Sequence, residues 1–230
     1  MRVRIEAPSS PFSEEKLSRG VARLRAAGVE VEGEGALRGR HAYLNGDDDE
    51  RRRALEQALS SDVDVIWLAR GGYGLTRLVT RLSPPARGPV VVGFSDATAL
   101  FAHLAGSGLR CVHGPLATTV ADEPEASFAH LLAVLERRAR GARFPLEMEP
   151  GLDHEGWLFA ANLCVLTHLV GTPSMPSLQG SVLVLEEVGE RPYRIDRMLT
   201  QLRASGALRG VRAVVVGPVS YTHLTLPTKA

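Results

Sequence analysis

Three short stretches of this chain carry residue types able to do chemistry. In GFSDATAL, residues 93–100, Ser95 falls between an apolar strand-like run and a helix-like run. A tight turn there can lift a serine hydroxyl above a sheet edge, while the next amides, unpaired at a helix start, are free to donate to an oxyanion. The pattern departs from G-x-S-x-G at Ala97, and serine is also a good cap for a helix beginning at Asp96, so nucleophile and cap both stand. RGGYG, residues 70–74, directly follows the apolar VDVIWLA. Adjacent glycines at a strand end let backbone approach a ligand and present N–H groups to a phosphate or an oxyanion, or they form a plain turn. The spacing is neither G-x-G-x-x-G nor a Walker A loop, which argues against dinucleotides and nucleoside triphosphates. In LVLEEVGE, Glu186 ends another apolar run, where a carboxylate is costly unless exposed or paired, and where it could orient a histidine that takes a serine proton. Strand alternation leaves Glu187 an equal candidate for the inward position.

These residues need elements to hold them. From Arg2 to about Leu104, short β-like runs alternate with amphipathic helices, the pattern of a parallel sheet covered by helices. RVRIEAP reads as a first strand. Ser13 then caps a helix with Glu14 and Glu15 in its first turn, Leu17, Val21 and Leu24 on one face, and Gly28 as its stop. Asp47 and Glu50 have capping-box spacing before a second helix carrying Leu55 and Leu59. VDVIWLA and PVVVGF read as buried strands, with a helix through Leu78 between them and another from Asp96 that ends at Gly106. Further on, ANLCVLTHLVG reads as a helix and SVLVLEE as a buried strand. ERPYRIDRMLTQLRASGAL reads as a helix with Ile195, Met198, Leu199 and Leu202 on one stripe, and RAVVVGP as a last strand.

The segmentation is therefore an N-terminal domain over 1–122, a linker over 123–155 containing the arginine-rich RRARGAR, and a second, partial α/β domain over 156–220. The last ten residues, YTHLTLPTKA, hold one of the chain's two lysines and three of its threonines, unlike the arginine-rich text before them. They are expected to be non-native read-through, with the true frame continuing differently after Ser220.

Composition excludes several function classes. A net charge of +1 with interspersed signs provides no field to gather nucleic acid or an anionic membrane, leaving a small substrate or a protein as the partner. Cys111 and Cys164 lie far apart among apolar neighbours with no metal-ligand spacing, so neither a metal nor another cofactor is expected. The N-terminus has no apolar signal core and no run approaches a membrane span, which predicts a cytoplasmic protein.

Taken in order, APSSP, YLNGDDDERRRAL, IWLARGGYGLTRLV, VVVGFSDATAL, HGP at 113–115, ANL at 161–163, LVGTPSMP and VLVLEEVGERPYRIDRMLTQLRASGAL resemble the LD-carboxypeptidase family of serine peptidases. That family includes murein tetrapeptide carboxypeptidases and microcin C immunity peptidases. The resemblance implies an N-terminal Rossmann-like domain and a second α/β domain with the active site between them, and a tendency to form homodimers. It implies Ser95 as nucleophile, Glu186 as the acid of a Ser-His-Glu triad, and the amides of Asp96 and Gly72 as oxyanion donors. Gly71, Tyr73, His113 and Asn162 would lie on the substrate side. The reaction implied is hydrolysis of the L-to-D amide that releases terminal D-alanine from a murein tetrapeptide, in peptidoglycan recycling.

The alternatives are an immunity-type peptidase acting on aminoacyl or peptidyl nucleotides, and a non-catalytic module that binds a small anion through RGGYG. Two departures stand out: ANL replaces the family's Gly-Gly-Asn-Leu, and the family histidine, in a Gly-His segment well after the glutamate, has no counterpart at its proper place. His223 imitates it inside the suspect tail, and His41, His103, His130, His154 and His168 read as structural or solvent-facing. The base is expected beyond Ser220, and the chain as written is expected to turn over little substrate.

Overall fold

The computed structural model describes residues 1–33, 39–137 and 154–220. The chain divides into two compact units, Met1–Pro150 and Gly151–Ala230.

In the first unit, β1 (Arg2–Glu6), β2 (Glu30–Glu32), β3 (Val65–Leu68), β4 (Val90–Gly93) and β5 (Cys111–His113) form one parallel sheet in the order β2-β1-β3-β4-β5. The direction of winding reverses between β1 and β3, and in such sheets ligands bind beyond the strand C-termini at that reversal. The loops leaving β1 and β3 there are APSSP and RGGYG, and Ser95 follows the next strand over.

Alternation divides the strand residues between two faces. Val3, Ile5, Val65, Trp67 and Val92 pack under α1 (Glu14–Ala26) and α4 (Glu125–Leu135), which contribute Leu17, Val21, Leu24, Phe128 and Leu131. Trp67 is fully buried and its indole N–H donates to Pro115 O at 2.8 Å. Ile66 and Leu68 turn the other way, and α2 (Asp48–Leu59) and α3 (Ala97–Leu104) supply buried Leu55, Leu59, Leu100 and Leu104. The expected caps are present. Ser13 Oγ accepts from Lys16 N, and Asp47 and Glu50 form a reciprocal capping box. Gly28 follows α1 with φ 78°, a left-handed conformation that glycine adopts without strain.

The second unit is a parallel sheet of β6 (Trp157–Asn162), β7 (Ser181–Val188) and β8 (Ala213–Ser220) in that order, with α5 (Leu163–Leu169) and α6 (Pro192–Ala204) as crossovers. The mixed α/β class with parallel sheets is thus as the periodicity predicts.

Several elements differ from expectation. The helix through Leu78 is two 3-10 turns, Leu75–Arg77 and Val79–Arg81, because only nine residues separate Gly74 from Pro84. ANL does not open a helix: Ala161 and Asn162 complete β6, and only Leu163 starts α5. The segment expected to begin the linker at 123 is instead core, since Phe128, Leu131 and Leu135 of α4 are buried in the first unit and the division falls after Pro150. On α6, Met198 and Leu202 are buried but Leu199 is 40% exposed. Most of RRARGAR and all of 221–230 lie outside the described residues. Among the described residues no helix is long and apolar enough to cross a membrane.

Candidate active site

Ser95 has φ 61°, a left-handed conformation that costs a non-glycine residue about 1–2 kcal/mol. It does not cap α3. The cap position is Asp96, without a side-chain cap bond, and it is the Ser95 carbonyl that accepts from Thr98 N at 3.0 Å. Strained backbone at a strand-to-helix turn is what an elbow requires, since it turns the side chain out of the sheet. Its tightness also explains the departure from G-x-S-x-G. A Cβ added at Gly93 would lie 2.8 Å from Ala97 Cβ, so the residue two before the serine must be glycine, whereas alanine fits two after.

RGGYG lies directly against the elbow. A Cβ at Gly71 would stand 3.1 Å from Phe94 O and 3.4 Å from Ser95 Oγ. Gly72 has φ 97° and faces Ser10, whose Oγ accepts from Tyr73 N at 3.2 Å. Tyr73 is 43% exposed, with its ring centroid 5.9 Å from that of exposed Tyr43. His113 ends β5 rather than lying in a loop, paired in register with Gly93, and its ring packs edge-on against Phe94 at 5.0 Å. The first unit therefore gathers Ser95, Asp96, Gly71, Gly72, Tyr73 and His113 along one sheet edge.

Two residues not singled out in the sequence organise these loops. Arg51, fully buried, donates to Pro8 O, to Gly46 O at 3.2 Å and to Gly74 O at 3.3 Å, and pairs with Asp48. Ser9 Oγ donates to Asp96 Oδ2 at 2.7 Å. Arg51 had a legible signal: it precedes Leu55 and Leu59 by four and eight residues and so shares their buried stripe. Ser9 had none.

In the second unit, Glu186 ends the regular part of β7 and is buried, in register with Asn162 of β6. Both faces of the strand end are covered, so Glu187 is buried as well, and a register irregularity between Leu185 and Glu187 lets consecutive glutamates enter the interior. Glu187 is engaged structurally: its Oε2 accepts from Cys164 N at 2.9 Å and its Oε1 from Val188 N at 3.0 Å. Asn162 caps α5 through an Oδ1 bond from Val165 N at 3.0 Å, which accounts for the asparagine whatever precedes it.

Neither cysteine is suited to nucleophilic work. Burial pushes the Cys111 thiol up to about 12, and burial together with Glu187 raises that of Cys164. Two of the histidines are held by backbone, His103 Nε2 by Leu82 O at 3.2 Å and His168 Nδ1 by Cys164 O at 2.7 Å. A cavity of about 430 Å³ in the first unit, lined by His41, Asp47–Asp49, Arg53, Arg77 and Arg81, includes none of the candidate site residues.

A parallel α/β sheet carrying a strained serine turn beside a glycine loop is the arrangement a serine hydrolase of the α/β class would use. The chain belongs to the LD-carboxypeptidase family: the model of that family's N-terminal domain matches residues 3–114 and that of its C-terminal domain residues 155–228. The murein tetrapeptide carboxypeptidase of Pseudomonas aeruginosa is 31% identical over 239 residues, covering 94% of this chain and 76% of the relative. The muramoyltetrapeptide carboxypeptidase of Oxalobacter formigenes superposes with a TM-score of 0.81 at 28% identity, over 97% of this chain and 78% of the other. The microcin C7 self-immunity protein MccF superposes with a TM-score of 0.83 at 21% identity, over 99% and 81%, which speaks for the fold alone.

Proposed function

We propose that this serine peptidase hydrolyses the amide between an L-centre and the terminal D-alanine of a murein tetrapeptide, with Ser95 as nucleophile. The single observation that carries this reading is the positive φ of Ser95, 61°, at the C-terminal edge of the sheet against Gly71. Such strain has no structural use in a helix cap, and it displays a hydroxyl where a carbonyl can approach.

The Ser95 Oγ attacks the scissile carbonyl as its proton passes to a base, and the resulting oxyanion takes hydrogen bonds from the amides of Asp96 and Gly72. Collapse breaks the C–N bond. D-alanine leaves with a proton on its nitrogen, and water then hydrolyses the acyl ester and regenerates the serine. Glu186 is the acid that orients and stabilises the base as it charges. No base is assigned: neither the described histidines nor His223 is given that role. Gly71, Tyr73 and His113 contact substrate, as does Asn162 through groups other than its capping oxygen. Recycling of murein peptides in the cytoplasm is the setting this substrate suggests.

The test is D-alanine release from murein tetrapeptide, followed with an amino-acid oxidase. Turnover falls to background in Ser95→Ala. Release undiminished by that substitution would remove the serine from the mechanism.

A second reading, cleavage of an aminoacyl or peptidyl nucleotide, is favoured by one observation: the exposed Tyr43–Tyr73 pair offers a surface on which a base can stack. Competition by adenosine monophosphate that is lost in Tyr43→Ala would support it.

A further inference from the structure

The residue after the nucleophile is buried to 1% exposure, yet it is an aspartate. Its Oδ2 accepts from Ser9 Oγ at 2.7 Å and from Leu75 N at 3.0 Å, and the Gly74 N–H also points to it. These donors come from two different loops, the one after β1 and the one after β3. Burial raises the Asp96 pKa, while the bonds from Ser9 and Leu75 and the nearby Arg51 charge work against that rise. Arg51 grips the same segments through the opposite polarity, donating to the carbonyls of Pro8 and Gly74. The 74–75 backbone is thus held through its N–H groups by one buried charge and through a carbonyl by another.

We propose that the Asp96 carboxylate, backed by Arg51, is a positioning group that sets the glycine loop against the elbow and so fixes the separation of the two oxyanion donors. The inference rests on the oxyanion assignment made above and adds to it. One residue serves both halves of the hole. Its own N–H is one donor, and its side chain pins the end of the loop that carries the other, Gly72, two residues before Gly74. Such a hole works only when both donors stand within hydrogen-bond reach of the developing charge, and misplacement by about 1 Å costs on the order of 10²-fold in rate. An anion is suited to this task because all three groups facing it are donors. A neutral isostere can keep an oxygen at the Oδ2 position but loses the charge and puts an NH₂ in place of the other oxygen.

Asp96→Asn in the 230-residue chain provides the test, with two independent readouts. The first is the rate at which a fluorophosphonate labels Ser95, the new Oγ–P bond displacing fluoride. The variant should label about 10²-fold more slowly, while the affinity for D-alanine, the leaving product, stays within about threefold, because the leaving group does not touch the hole. The second is amide exchange read by NMR, where protection at Gly74 and Leu75 should fall in Asp96→Asn but not in Ser95→Ala. Ser9→Ala, which removes one donor and leaves the carboxylate, should slow labelling by a few-fold and covers the case in which the asparagine variant does not fold. Labelling within threefold of the parent with unchanged protection in Asp96→Asn, or, where that variant does not fold, labelling and protection both unchanged in Ser9→Ala, overturns the proposal. A parent chain that labels no faster than Ser95→Ala would count against Ser95 as a competent nucleophile in this chain, and exchange at Leu75 would then decide by itself whether Asp96 holds the loop.

Discussion

Replacing Ser95 by glycine and by alanine separates the elbow from the cap by the sign of a stability change. In the elbow, serine and alanine pay the same cost for φ 61°, about 1–2 kcal/mol, and glycine pays none. Glycine also loosens the unfolded chain, which returns about 0.4–1 kcal/mol of that gain. The net expectation is Ser95→Ala within about 0.5 kcal/mol of the parent and Ser95→Gly more stable by about 0–1.6 kcal/mol, the difference between those two ranges. A capping serine gives a different pattern: alanine costs about 0.5–2 kcal/mol and glycine a few tenths, both destabilising. Urea unfolding of the three proteins followed by circular dichroism resolves the difference, provided the slopes agree. A glycine variant less stable than the parent, beside an alanine variant weakened by about 1 kcal/mol, would refute the elbow.

Other perturbations test the surroundings. Gly72→Ala should lose about 1–3 kcal/mol, because its φ of 97° is unfavourable for alanine and its Cβ would lie 2.8 Å from Ser10 Cβ. Adding Ser10→Gly should recover the steric part only, as denaturant midpoints would show. Burial raises the pKa of Glu6, so the folded state binds its proton more tightly than the unfolded chain does, and stability drains as pH rises from the ordinary carboxylate range through the raised value. The melting temperature of Glu6→Gln relative to the parent should therefore improve between about pH 4 and pH 7, and a pH-independent difference would count against it. The Arg77 hydrogen bond holds Asp48 below its usual range, which gives the opposite sign: Asp48→Asn should lose stability above that range and converge with the parent as pH falls through it. His223→Ala should leave D-alanine release unchanged, and loss of release would make that histidine the base.

How far the molecule was legible follows from where its signals are local. The caps at Ser13 and Asp47, the buried strands and the glycine stops depend on neighbours within a few residues, and the sequence displays them directly. The strands Glu30–Glu32 and Cys111–His113 are three residues each at the two edges of the sheet, too short for alternation to register. ANL misled because asparagine serves equally as a strand end and as a cap, and the preceding WLFA belongs to the strand. The linker began too early because α4 earns its place only by packing on strands far away in sequence. At the site, local pattern left Ser95 between two roles, and a backbone angle that no composition reveals argues against the cap. Nothing local marks the Asp96 side chain as buried, since its partners are Ser9 and Leu75, 87 and 21 residues away.

The central claim is that Ser95 attacks an L-to-D amide. Its most direct test is the intact mass and peptide map of the chain after incubation with a phosphonamidate analogue of the murein tetrapeptide, whose P–N bond to the terminal D-alanine breaks as Ser95 Oγ bonds to phosphorus, beside the stereoisomer with L-alanine as the leaving group. The account predicts a single adduct on Ser95, formed with the D-terminal analogue and absent from Ser95→Ala. An adduct on any other residue, or equal labelling by both stereoisomers, would contradict it.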